Sequence, residues 1–97
     1  MTYSFHTEAE TEFIEAIAYY ERCDTGLGLE FSREIFRAID LIVELPNAWS
    51  SYHEGTRRYL TNKFPYSLIY SHREDEIAIW AVMHQSRAPY YWVGRLD

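Results

Sequence analysis

The chain has 97 residues, 47% of them apolar and 18% aromatic, and a formal net charge of −6. That composition argues against a chain disordered throughout and fits one domain over residues 1–97, able to bury a core without metals or disulfides. One cysteine, Cys23, excludes an internal disulfide, and the acidic total argues against tight nonspecific binding to nucleic acid.

In chain order, Tyr3-Ser4-Phe5-His6 alternates apolar and polar residues, the mark of a short first strand. Thr7 with Glu10 is a capping-box pair, in which hydroxyl and carboxylate satisfy the free N–H groups of a helix start. Ala9, Phe13, Ala16, Ile17 and Tyr20 then recur at helical spacing, while Glu8, Glu12, Glu15 and Arg22 fall elsewhere on the wheel. Gly26, after Asp24-Thr25, suits the left-handed conformation that ends a helix. A second helix repeats the stripe with Phe31, Ile35, Ala38, Ile39 and Ile42; Leu45 extends it and Pro46 ends it. Two amphipathic helices joined by a short glycine turn form an antiparallel hairpin, and their stripes need a sheet to pack on.

Asn47 to Gly55 reads as a loop. Arg57 to Leu60 is the second strand, Thr61-Asn62-Lys63 a turn, and Phe64-Pro65 opens a third strand running to Tyr70. After the charged turn Arg73-Glu74-Asp75-Glu76, the fourth strand is apolar on both faces, with Ile77, Ile79, Ala81 and Met83 on one and Ala78, Trp80 and Val82 on the other. A strand of that kind lies inside a sheet covered on both sides. The order β-α-α-β-β-β gives an α+β domain, a helical hairpin packed on an antiparallel sheet.

Charge divides unevenly along the chain. Residues 1–54 hold three arginines against eleven acids, and residues 55–97 hold five arginines and Lys63 against four acids. Solvated acidic helix faces account for the first half; a basic sheet half able to meet a polar or anionic target accounts for the second. Arg57, Arg58, Lys63, His84, Arg87, Tyr90, Tyr91 and Arg95 are the one suggestive constellation. Arginine forks match phosphate, tyrosine stacks on bases, and histidine can move a proton near neutral pH. Alternatively, Tyr90, Tyr91 and Trp92 with Pro89 form a lid over the sheet. Arg57 and Arg58 point to opposite faces, so at most one lines a given site.

No cofactor or metal is expected. The chain lacks a phosphate-cradling glycine loop and paired cysteines, and His6, His53, His72 and His84 have no metal-ligand spacing. Cys23 is expected to be an inert, partly buried thiol in a reduced, cytoplasmic setting. No stretch reads as a signal peptide or approaches the ~18 apolar residues of a membrane span.

Taken in order, several segments resemble the RelE/ParE superfamily of toxins from type II toxin–antitoxin modules, especially the ParE-like plasmid stabilisation proteins. They are Phe13 and Ala16 with Tyr19-Tyr20-Glu21, Gly26-Leu27-Gly28 with Phe31, Pro46, Arg58-Tyr59-Leu60, Phe64-Pro65-Tyr66 with Ile69-Tyr70, Ala81-Val82-Met83-His84, and Arg87-Ala88-Pro89-Tyr90-Tyr91-Trp92 with Arg95. The resemblance implies the same hairpin-on-sheet fold and a cognate antitoxin whose C-terminal segment wraps the toxin as a helix in a groove and an added strand. It implies either of two activities: inhibition of DNA gyrase by protein contact, as in ParE-like members, or cleavage of mRNA on the ribosome, as in RelE-like ribonucleases. In the ribonuclease reading His84, Arg87 and Arg58 are catalytic, with His84 in proton transfer and the arginines on phosphate. In the binding reading Arg57, Lys63, Arg87, Tyr90, Tyr91, Trp92 and Arg95 contact target or antitoxin. The acidic total favours the gyrase side, because the ribosome is a polyanion. A third reading is a non-toxic member that only binds a partner. Neither membrane association nor sequence-specific DNA binding is expected.

Overall fold

The computed structural model describes residues 1–96. Strand β1 (Thr2–Phe5) leads into helices α1 (Thr7–Cys23) and α2 (Leu27–Glu44). Four strands follow: β2 (Ser50–Ser51), β3 (Arg57–Leu60), β4 (Tyr66–Arg73) and β5 (Glu76–His84). Single 3₁₀ turns occupy His53–Gly55 and Val93–Arg95.

Both stripes bury as their spacing requires. In α2, Phe31, Ile35, Ala38, Ile39 and Ile42 are all at most 1% exposed; in α1, Ala9, Phe13 and Ala16 are buried and Ile17 and Tyr20 half-buried. They meet Phe64, Leu68, Tyr70, Ile77, Ile79 and Val82 from the sheet. Leu45 departs from expectation: it lies just beyond the helix end and is exposed, because the helix stops one residue before it. The start of α1 also differs. His6 is the cap, its Nδ1 accepting from the Glu8 N–H at 3.1 Å, and Thr7 already lies within the first turn. Gly26 takes φ +89° at the hairpin, where the Glu21 carboxylate accepts from the Gly26 and Gly28 N–H groups. Cys23, at the last residue of α1, is exposed and not partly buried.

The sheet has the order β1-β5-β4-β3-β2 and is mixed, since β1 runs parallel to β5. An all-antiparallel sheet was the expectation; alternation marks a strand but carries no direction, so the parallel edge was invisible. The fifth strand, β2, pairs Ser50 and Ser51 with Arg58 and Arg57 inside the stretch read as a loop. Two serines have no apolar pattern to announce it.

One extra residue in β5 changes which side chains face which way. Tyr70 pairs with Ile79 and Ile69 with Ala81, leaving Trp80 without a partner in the register. Such a bulge reverses the alternation beyond it. Ile77, Ile79 and Val82 therefore face the helices, whereas Trp80, Ala81 and Met83 face the other side. The strict alternation read from sequence placed Ala81, Met83 and Val82 on the wrong faces. On that second side Trp92 packs fully buried against Ile69, Trp80, Ala81 and Met83, with Tyr52, Tyr91, Val93 and Leu96 around it. The C-terminal tail is thus the lid of the sheet's second face.

Candidate functional site

Glu12 stands where α1, the bulge and the tail converge. Its carboxylate accepts from the Val82 N–H at 3.0 Å, the Tyr91 hydroxyl at 2.7 Å, and both terminal nitrogens of Arg95 at 3.0 and 2.8 Å. The paired Arg95 bonds are the bidentate fork, the strong form of this interaction. Arg95 also donates to the Trp80 carbonyl at 2.9 Å. The glutamate and the arginine together satisfy one backbone N–H and one backbone carbonyl of β5, beyond the point where β1 ends opposite Ile79. Only 14% of the Glu12 side chain and 10% of the Arg95 side chain remain exposed. Burial alone would lower the Arg95 pKa, but the Glu12 hydrogen bond and charge outweigh it and hold it above its ordinary value. Burial first, and then the hydrogen bond to Glu12, push the Tyr91 phenol well above its usual range.

Beside this network, α1 and the far end of the sheet enclose an open cavity of about 170 Å³ lined by Glu12, Glu15, Ala16, Tyr19, Tyr66, Val82, His84 and Arg87. Residues 12, 15, 16 and 19 share one helix face, spaced three to four apart. Arg87 lies over the Tyr91 ring at 3.8 Å from its centroid and reaches within 4.0 Å of Glu12. His84 closes β5 edge-on to Tyr66, with ring centroids 5.1 Å apart. Its Nδ1 accepts from the Ser86 N–H at 3.0 Å, which leaves the neutral ring's proton on Nε2. Burial, then Tyr20 and Glu12, push the Tyr66 phenol up to about 12, so it stays a neutral hydroxyl. Among the described residues no group of three His, Cys, Asp or Glu is placed to hold a metal, and no helix is long and apolar enough to cross a membrane.

The sequence matches the family described as "ParE toxin of type II toxin-antitoxin system, parDE" over residues 3–89. The chain belongs to the ParE toxin family. A solved structure, the "Chromosomal ParDE TA system from P. aeruginosa", is similar at a TM-score of 0.73 and 17% identity, covering 87% of this chain and 95% of that one. At that identity the likeness concerns the fold alone. A comparison with curated proteins gives no match.

In this ParE family member the suggested residues do not form one site. His84 and Arg87 come together in the cavity. Arg58 does not join them: β4 lies between β3 and β5, and Arg58 sits over the Tyr52 ring with its Nε donating to Ser67 at 3.3 Å. Arg57 is half-buried, donating to the Trp49 carbonyl at 2.6 Å, and Lys63 is exposed, paired with Glu30 at 3.2 Å. In the tail, Trp92 is core and Arg95 is bound to Glu12, while Tyr91 is half-buried. Tyr90 is 48% exposed, with its backbone at φ +65° and its ring against His53 and Tyr52. Glu12, Glu15, Tyr19 and Tyr66 were not among the site residues suggested by the sequence. The run Glu8, Glu12, Glu15, Tyr19 along one side of α1, next to its apolar stripe, was the available signal.

Proposed function

We propose that this ParE family member acts by binding, with DNA gyrase as its target in the cytoplasm and a cognate antitoxin as its silencer. The observation that carries the reading is the division of the cationic set. A ribonuclease needs its cations on one phosphate and two proton-transfer groups beside it. Here Arg58 is separated from His84 and Arg87 by β4, and Arg87 is already stacked on Tyr91 and turned to Glu12. Exposed Arg87, Tyr90 and Lys63 are the contacts proposed for target or antitoxin; Trp92 and Arg95 serve by fixing the tail that carries Tyr90. Expression without an antitoxin should arrest growth with a DNA-damage response, and purified protein should inhibit supercoiling by gyrase. Growth arrest with intact supercoiling and cleaved messages would refute the gyrase target.

One observation favours the RelE-like endoribonuclease as second reading: His84, with its proton on Nε2, shares a cavity with Arg87. Under that reading the His84→Ala, Arg87→Ala double variant loses toxicity and mRNA cleavage together. No growth effect from the unmodified protein supports the third, non-toxic reading.

A further inference from the structure

Charges along the cavity side of α1 do not balance. Three carboxylates lie there, Glu8, Glu12 and Glu15, against two guanidiniums, Arg87 and Arg95. Arg95 spans Glu12 at 2.8 Å and Glu8 at 3.9 Å, and Arg87 adds its charge at 4.0 Å from Glu12. Glu15 has no ion pair or side-chain hydrogen bond among the described residues, yet it lines the cavity between Glu12 and Tyr19. Two of the lining residues are tyrosines, Tyr19, 55% exposed, and Tyr66, and the His84 ring, also in the lining, stands edge-on to Tyr66. An unpaired carboxylate beside two tyrosine rings, in a space of about 170 Å³, has the elements of a receptor for one flat cation.

We propose that this cavity takes a single arginine side chain presented by the antitoxin, its guanidinium paired with Glu15 and laid against Tyr19 and Tyr66. The proposal rests on the partner-binding reading above and adds the chemistry of one contact. The occupant is a cation because, among the described residues, Glu15 is the one charged group of the lining without a charged partner, Arg87 and Glu12 facing each other. It is an arginine because a planar fork can both stack on a ring and pair with a carboxylate, whereas an ammonium acts as a point charge. Arg87 does not fill this role, since its guanidinium is stacked on Tyr91 and directed at Glu12. Its charge at the lip makes an anionic side chain the rival occupant.

The test titrates full-length protein, followed by NMR, with Nα-acetyl-arginine amide, its neutral citrulline analogue and Nα-acetyl-glutamate amide. The arginine probe should shift the ring signals of Tyr19 and Tyr66, saturating near about 1 mM for so small a ligand. The citrulline analogue should bind at least about fivefold more weakly, and Glu15→Gln should weaken the arginine probe by a similar factor. Glu15 is exposed, so this variant keeps the fold, and Tyr19→Leu gives a second, independent loss. Equal binding of arginine and citrulline probes, preferential binding of the glutamate probe, or no shift at Tyr19 and Tyr66 overturns the proposal. Growth arrest and its relief by the antitoxin are scored separately. A toxic, neutralisable protein that ignores the arginine probe sinks the receptor and leaves the toxin reading standing; a harmless protein that binds the probe does the reverse.

Discussion

Glu12 shows how much of this architecture one carboxylate can hold. It accepts four hydrogen bonds from three residues, two of them from a guanidinium as secluded as itself. Glu12→Gln keeps the shape but removes the charge and one acceptor, and strands the Arg95 cation against the Trp80 carbonyl. The expected loss is about 2–3 kcal/mol, measured by urea unfolding. Arg95→Lys in the wild-type background should also lower stability, because an ammonium cannot reproduce the paired bonds. A loss no larger than that of Glu15→Gln would mean that Glu12 is an ordinary surface acid.

Between elements, the hairpin is held by a close approach at Gly28. A Cβ there would sit 2.6 Å from the Ile17 carbonyl oxygen and 3.1 Å from the Glu21 side chain. Backbone cannot yield as a flexible side chain does, so Gly28→Ala should push the helices apart at a cost of about 1–3 kcal/mol, seen as a lower Tm. Removing a core group deeper in the same layer, Ile39→Ala, should cost about 2–5 kcal/mol by the same assay. Much of this layer was legible in the sequence. The two stripes fixed the helix faces, Pro46 ended α2, and β3 lay at Arg57–Leu60 as read. What stayed hidden has a common cause. The direction of β1, the Ser50–Ser51 pairing and the extra residue at Trp80 are each set by the strand alongside, near or far in sequence, not by the segment's own pattern. The same holds for the site. His84 and Arg87 were visible as a neighbouring pair, but Glu12 reaches its partners across 70 to 83 positions, a distance no spacing rule reports.

For the whole molecule, buried phenols set the alkaline limit. Tyr20, Tyr59, Tyr66, Tyr70 and Tyr91 all have pKa values raised by burial, Tyr66 to about 12. A raised pKa means that the folded state keeps protons which the unfolded chain releases. Their contribution is therefore complete below about pH 10 and is lost as pH rises through the raised values, about 12 for Tyr66. Unfolding free energy should be flat on this account up to about pH 9 and fall steeply above 10, with tyrosinate absorbance rising in step with unfolding. Tyrosinate forming at pH 10 in still-folded protein, in all nine tyrosines, would contradict the burial described.

The bond between Glu12 and Arg95 has one more outcome, in the order of manufacture. A chain made from its N-terminus has α1 long before it has β5 or the tail, so the lid side of the sheet stays uncovered until the segment around Trp92 has been made. Pairings this far apart also form late and slowly. The newborn polypeptide is therefore incomplete, and open to capture by any protein waiting nearby, until Arg95 has emerged and found its carboxylate.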